Sequence, residues 1–221
     1  MKKNWWKILA VVFVFYAIIA GFVTPVPRLA ILHETIRNLY FHVTMWFGMI
    51  IILCVSLIYS IKVLSKSYMQ DDIVASEAAN VGILLGALGL ATGSVWARFT
   101  WGAWWVGDTK LNGAAITMLI YLAYVVLRSS IDEEQKRARI SAVYNIFSYV
   151  MLLVFLMIVP RMTDSLHPGN GGNPGFGGYD LDNRMRTVFY PAVIGWTLLA
   201  VWMMSLRIRL GKLKREIIFN E

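Results

Sequence analysis

The chain of 221 residues is 58% hydrophobic and 15% charged, and its mean hydropathy is +0.60. Soluble domains are about 45–50% apolar and about 25% charged, so this composition excludes an ordinary water-soluble fold. The net charge of +8 is compatible with binding to nucleic acid or to a membrane surface. Because the charges lie between long apolar stretches, the pattern favours the lipid bilayer and argues against nucleic acid as a partner.

Six stretches without Asp, Glu, Lys or Arg follow one another along the chain, at 8–27, 38–61, 78–97, 111–127, 140–160 and 187–206. A helix needs roughly 17–25 predominantly apolar residues to cross a bilayer. A transmembrane β-barrel would instead show segments of about ten residues with alternating polarity, and the chain has none. The sequence therefore predicts an all-α integral membrane protein, a single domain over 1–221 with a bundle of six transmembrane helices and an external tryptophan-rich segment. The predicted spans are 8–27, 43–64, 78–97, 111–127, 140–160 and 187–206.

The basic residues indicate how the bundle is oriented. The two termini and the connections 62–77 and 128–139 together hold 14 Lys and Arg residues, whereas the other three connections hold 7. Because cytoplasmic connections of membrane proteins are enriched in Lys and Arg, both termini are predicted to be cytoplasmic. The predicted outer connections are 25–42, 97–112 and 161–187.

The sequence also excludes two kinds of chemistry. It has no glycine-rich phosphate-binding motif, so the chain cannot drive transport with its own nucleotide. Its single cysteine, Cys54, cannot form a dithiol pair, which excludes thiol redox chemistry and leaves Cys54 as a packing residue. A secondary transporter is an alternative function, but it would typically carry charged residues inside its spans, and the six stretches hold none.

Tryptophans are concentrated around the second outer connection, at Trp96, Trp101, Trp104 and Trp105. If residues 101–108 are helical, one face is shared by Trp101, Trp104, Trp105 and Asp108, at i, i+3, i+4 and i+7. The spacing therefore predicts an indole platform ending in a carboxylate, which suits a large flat apolar ligand. The alternative is an interfacial aromatic belt, although a belt does not need its rings packed together.

The three histidines, His33, His42 and His167, all fall in the outer connections. His33 is interpreted as an exposed loop residue. His42 and His167 lie on either side of the tryptophan segment, and this pattern points to haem, because imidazoles serve as axial ligands of haem iron. Zinc is a weaker alternative, since its four-coordinate sites usually use more Cys or His. The outer cations available for haem propionates are Arg37, Arg98, Lys110, Arg161, Arg184 and Arg186.

The positions of these histidines also predict the kind of haem site. Electron carriers with b-type haem bury their ligands within the helices, whereas all three histidines here are placed at or beyond the outer ends of the predicted spans. This favours a surface-facing, exchangeable haem and disfavours electron transfer across the bilayer. The third outer connection contains six glycines between Gly169 and Gly178, together with Pro168 and Pro174, which is typical of an irregular loop.

Two motifs resemble those of a known family. The run Trp101-Gly102-Ala103-Trp104-Trp105-Val106-Gly107-Asp108 resembles the W-G-x-W-W-x-W-D signature of haem-handling cytochrome c assembly proteins. Together with Arg37-x-x-Tyr40-x-His42-Val43, a histidine after the fifth span, the six spans and the length, it is similar to the CcmC family, the haem exporter C proteins of system I cytochrome c maturation. The likeness covers nearly the whole chain. Gly107 stands where the family has an aromatic residue, and Thr44 where proline is common.

The resemblance implies a haem-delivery protein rather than an enzyme. The implied site consists of His42 and His167 as axial ligands of a non-covalent, exchangeable haem b, with Trp101, Trp104, Trp105, Asp108 and Arg37 around it. The implied partners are the haem chaperone CcmE, the small protein CcmD and the ABC transporter CcmAB. The implied location is a bacterial inner membrane, with haem on the periplasmic side. The alternative within this resemblance is a synthase-type relative that attaches haem directly to apocytochrome, although such relatives usually have extra spans or large outer domains.

Overall fold

The computed structural model describes residues 4–29, 31–66, 68–170 and 181–220. Six of its helices are long and apolar enough to cross a membrane, which confirms the predicted all-α membrane fold. They are α1 (Trp5–Val23), α2 (Leu39–Lys66), α3 (Met69–Trp101), α4 (Thr109–Ser129), α5 (Glu134–Leu153) and α6 (Asn183–Asn220). A 3-10 segment, His33–Asn38, precedes α2, and α5 continues as a π-helical segment, Val154–Ile158, and a 3-10 turn, Val159–Met162.

Helix α2 lies at the centre of the bundle, where it contacts α3, α5 and α6, while α1 packs against α6. The buried side chains Met49 and Leu53 of α2 share one hydrophobic core with Ala78 and Ala79 of α3. Small side chains at such a contact allow two helices in a membrane to approach closely. The outer faces of the bundle carry large exposed apolar side chains such as Leu119, which suits contact with lipid.

One set of polar side chains joins three helices inside the bundle. The Asn145 amide donates to the hydroxyls of Ser56 and Ser60, at 2.7 and 2.8 Å, and the Ser56 hydroxyl donates to the Ala75 carbonyl at 2.6 Å. A polar group without a partner is costly in an apolar environment. These hydrogen bonds therefore favour one relative position of α2, α3 and α5.

The third helix is longer than the predicted span 78–97 because charged residues inside it are paired. Glu77, directly before that span, accepts a hydrogen bond from Arg207 of α6 at 2.6 Å. The helix begins at Met69, and the buried Asp72 carboxylate in its first turn accepts two hydrogen bonds from the Arg128 guanidinium of α4, at 2.8 and 2.6 Å. Such a bidentate pair compensates for taking both charges out of water. A prediction that bounds each span at the nearest charged residue therefore places the start of α3 too far along the chain.

The first outer connection, predicted at 25–42, is shorter than expected. Helix α1 ends at Val23 because Thr24 is already extended and Pro25 follows it. Helix α2 begins at Leu39, so His42 lies one turn inside it. The expectation that His42 stands at or beyond the outer end of its helix is therefore wrong.

The last two helices also differ from their predicted bounds. The regular α-helix of the span predicted at 140–160 begins earlier, at Glu134, and changes to the π-helical segment after Leu153. The span predicted at 187–206 is a helix from Asn183 to Asn220. Most of the glycine-rich stretch, residues 171–180, lies outside the described residues.

Candidate functional site

Helix α2 holds His42 against helix α3, and the imidazole is buried. Its Nδ1 lies 2.9 Å from the carbonyl oxygen of Gly89 and 3.1 Å from the hydroxyl of Thr92. Because a carbonyl oxygen only accepts, the Gly89 contact assigns the ring proton to Nδ1. The neutral ring then has its lone pair on Nε2, the nitrogen that a metal would take.

Two glycines of α3 make room for the side chains opposite them. A Cβ atom at Gly93 would lie 2.6 Å from Cε1 of His42, and a Cβ atom at Gly89 would lie 2.8 Å from Cε2 of Trp46. Both distances are well below the optimum of about 3.5–4.0 Å for contact between carbon atoms. The imidazole and the indole thus pack directly on the backbone of α3.

The tryptophan segment is not helical, so the prediction of one indole face over 101–108 is wrong. Helix α3 ends at Trp101, and Gly102 has a φ of +83°, the left-handed conformation that commonly follows the end of a helix. The chain then bends, and Trp104 and Trp105 are 59% and 45% exposed. Trp101 instead packs its ring against His167, with the ring centroids 5.0 Å apart.

Asp108 links the α3–α4 connection to the α5–α6 connection. Its Oδ1 lies 2.8 Å from Nδ1 of His167, and its Oδ2 accepts hydrogen bonds from the Ser165 hydroxyl at 2.9 Å and the Leu166 N–H at 2.7 Å. The same carboxylate caps α4 by accepting the Lys110 N–H at 2.8 Å. With Nδ1 held by the carboxylate, Nε2 is the imidazole nitrogen that remains for a ligand.

The partners of Asp108 keep it ionised. Burial raises the pKa of its carboxyl group, but the hydrogen bond and charge of His167, helped by Leu166 and Ser165, outweigh burial and hold the pKa well below its usual range. Because the pKa is lower in the folded protein, the stabilisation is complete above the ordinary aspartate pKa and is lost as the pH falls through the lowered value. Near neutrality Asp108 is a fixed negative charge beside His167.

His42 and His167 line the same cavity, which lies between α2, α3, α4 and the continuation of α5. The empty space between its lining residues is about 910 Å³, which includes the part that is open to solvent. Apolar side chains form much of its wall, among them Val43, Leu90, Leu111, Ala114, Leu156 and Met157. Of the predicted platform, Trp105 lines the cavity, Trp101 lies behind His167, and Trp104 is not among the lining residues.

The sequence offers six basic residues for haem propionates without ranking them, and the structure shows which of them line the cavity. Lys110 and Arg161 line the cavity. Arg98 donates to a carbonyl of the turn that follows α3, and Arg184 and Arg186 of α6 are not among the lining residues. Any carboxylate of a ligand in the cavity would therefore meet Lys110 and Arg161 first.

Arg37, a predicted site residue, is not brought to the cavity. Its Nε donates to the Glu34 carboxylate at 2.7 Å, and its Nη1 donates to the carbonyls of Gly21 and Thr24 at 2.9 and 2.5 Å. These carbonyls belong to the end of α1, where helical carbonyls have no partner within the helix. Arg37 therefore fastens the end of α1 to the 3-10 segment before α2.

Two tryptophans that the sequence interpretation left out of the site contact His42. Trp46, one turn further along α2, donates its indole N–H to Nε2 of His42 at 3.3 Å. Trp96 of α3 packs edge-on against the same imidazole, with centroids 5.6 Å apart, and donates its N–H to Thr35 at 3.1 Å. The contact of Trp46 could have been predicted from the sequence, because residues at i and i+4 lie on the same face of a helix. The contact of Trp96 with His42 depends on how α2 and α3 pack against each other, so the spacing of residues in the sequence could not predict it.

Six apolar helices around a cavity lined by two histidines define a multi-pass α-helical membrane protein with an internal ligand site. The family model for CcmC, described as Heme exporter protein C, matches residues 2–220. The chain therefore belongs to the CcmC family.

Individual relatives agree with this assignment. Over 184 residues the chain is 28% identical to the heme exporter protein C of Bradyrhizobium diazoefficiens, a match that covers 83% of this chain and 69% of the relative. It is 26% identical over 193 residues to the protein of the same name from Paracoccus denitrificans, covering 86% and 77% of the two chains. A shorter match, 37% identical over 92 residues, covers 42% of this chain and 28% of the cytochrome c biogenesis protein CcsA of Prochlorococcus marinus.

Proposed function

We propose that this protein binds haem in the cavity between His42 and His167 and presents it on the periplasmic face for delivery to the haem chaperone CcmE, as part of cytochrome c maturation. The observation that carries the proposal is that both imidazoles, from distant parts of the chain, line one cavity. Membership of the Heme exporter protein C family supplies haem as the cargo. The protein acts as a delivery scaffold, because the reactive chemistry belongs to haem itself.

The donor set fits haem better than a bare metal ion. Among the residues that the structure describes, no group of three or more His, Cys, Asp or Glu side chains could hold a metal ion. Haem iron needs only axial ligands from the protein, since the porphyrin supplies its other ligands. His42 and His167 would hold the iron, and the apolar walls would contact the porphyrin. The sole cysteine, Cys54, packs against the hydrophobic core, which supports non-covalent binding of haem b.

The charges around the bundle support the proposed location. The basic residues at both termini favour a cytoplasmic position for them, so the histidine cavity would face the periplasm of a bacterium with this chain in its inner membrane. Trp104, which is 59% exposed beside the cavity, is then available to the chaperone. CcmD and the CcmAB transporter are the further partners that we propose from the family.

A second candidate is direct attachment of haem to apocytochrome by a synthase-type protein. The match to CcsA supports it, but that match covers only 28% of the relative. The described part of this chain consists of six spans and short connections, and it includes no large outer domain. Haem delivery is therefore the better supported of the two functions.

Replacement of both cavity cations tests whether the cargo carries carboxylates. We expect Lys110→Gln with Arg161→Gln to weaken hemin binding about tenfold, because charge-assisted bonds to the propionates are lost at partly exposed positions. Binding of hemin dimethyl ester, which has no free carboxylates, should change little. Titration of the detergent-purified protein measures both. Arg184→Gln, at an exposed position, is the matched control. Equal losses for hemin and its ester would contradict propionate recognition.

Asp108→Asn tests whether this carboxylate positions His167. The amide keeps an oxygen to cap α4 but removes the negative charge beside the imidazole. We expect hemin affinity to fall about tenfold, as for other residues that orient a metal-binding histidine. Asp164→Asn is the matched control, because Asp164 is exposed and bonds to Asn170 instead of a histidine. Wild-type hemin affinity in Asp108→Asn would contradict the positioning role.

A further inference from the structure

One hydrogen bond in the cavity engages the atom that haem iron would need. The indole N–H of Trp46 lies 3.3 Å from Nε2 of His42, and both side chains line the cavity. An indole N–H can only donate, and the Gly89 carbonyl on the other side of the imidazole can only accept. The two neighbours therefore favour the same tautomer, with the Nε2 lone pair directed at Trp46.

A single lone pair cannot accept a hydrogen bond and bind iron at the same time. Any metal that takes Nε2 of His42 must first displace the Trp46 N–H. We infer that Trp46 is a built-in competitor for the His42 lone pair, which orients the imidazole for ligation and lowers its affinity for haem, so that the cargo can leave. This inference rests on the haem-binding function proposed above.

The fold holds the competing indole in place. The Trp46 ring stands edge-on to the imidazole, with centroids 6.1 Å apart and an interplanar angle of 80°. Its six-membered ring packs over Gly89, where a Cβ atom would lie 2.8 Å away. Trp46 is also on the same helix as His42, one turn further along. The indole is therefore a fixed neighbour of Nε2.

Trp96 provides the comparison within the same site. Its ring also stands edge-on to His42, at 5.6 Å and 75°, but its N–H donates to the Thr35 hydroxyl at 3.1 Å. Replacing either tryptophan with phenylalanine keeps an aromatic ring and removes one N–H. Of the two variants, only Trp46→Phe removes the hydrogen bond to the His42 lone pair. Trp96→Phe is therefore the matched control.

The hydrogen bond itself can be tested without haem. The chain has three histidines, so ring-¹⁵N histidine labelling of the protein purified without haem gives a simple NMR spectrum, assigned by replacing each histidine in turn. We expect the Nε2 resonance of His42 to move downfield in Trp46→Phe, as a lone pair loses its donor, and not to make this downfield move in Trp96→Phe, which leaves that donor in place. An unchanged His42 resonance in Trp46→Phe would overturn the inference.

Hemin titration of the same variants tests the consequence. We expect Trp46→Phe to bind hemin about threefold to tenfold more tightly than wild type, which corresponds to one hydrogen bond, and to release it more slowly to excess apomyoglobin. Trp96→Phe should show no gain. Unchanged or weaker hemin binding in Trp46→Phe would overturn the inference while leaving haem binding intact. A wild type that takes up no hemin would instead overturn the proposed function, and the competitor role with it.

Discussion

Gly93→Ala is expected to weaken hemin binding roughly tenfold to a hundredfold, the range that corresponds to the cost of overpacking a close contact. The added methyl carbon would lie 2.6 Å from Cε1 and 3.2 Å from Nδ1 of His42. The imidazole cannot move away without giving up its hydrogen bond to the Gly89 carbonyl, which sets its orientation. Its Nε2 would then no longer face the cavity as the ligation requires.

The control for this variant is Gly107→Ala, in the tryptophan segment. A Cβ atom at Gly107 would meet no atom within 4 Å, so hemin affinity should equal that of wild type. Size-exclusion chromatography in detergent shows whether both variants fold. A folded Gly93→Ala protein with wild-type hemin affinity would contradict the placement of His42 against α3.

The six spans were predictable because charges in a lipid environment are costly, so uncharged stretches mark the helices. The ends of the helices were less predictable, because pairing removes that cost. Asp72 lies in the first turn of α3, where the Arg128 guanidinium of α4 pairs with it through two hydrogen bonds. Which partner reaches a charge depends on the packing of distant helices, and a single sequence does not contain that information directly.

The candidate site was predictable in part. Residue type and the resemblance to CcmC pointed to His42 and His167, and the structure places both on one cavity. The tryptophan geometry was wrong because the i, i+3, i+4, i+7 pattern has meaning only within a helix, and Gly102 ends α3 directly after Trp101. A glycine at that position is itself a common signal for the end of a helix. Trp46 was missed because an aromatic residue on an apolar helix is ordinarily a packing residue.

Removal of either histidine is expected to have the largest effect. His42→Ala and His167→Ala should each abolish six-coordinate haem, because each takes away one of the two proposed axial ligands. Asp108 and the Gly89 carbonyl hold these imidazoles through Nδ1, and no other histidine lines the cavity in the described part of the chain. A single remaining imidazole leaves one axial position of the iron without a protein ligand.

His33→Asn is the matched control for these two variants. His33 is exposed, does not line the cavity and has a φ of +42°, a conformation that asparagine tolerates. Its replacement removes a histidine without disturbing the site, so haem content should stay at the wild-type level. Loss of haem in His33→Asn would show that the assay responds to general damage.

The most direct test of haem binding between His42 and His167 is the absorption spectrum of the detergent-purified protein with hemin, oxidised and reduced. The proposal predicts a low-spin bis-histidine spectrum for wild type and His33→Asn, and its loss in both His42→Ala and His167→Ala. A bis-histidine spectrum that persists in either alanine variant, or a wild type that takes up no hemin, would contradict it.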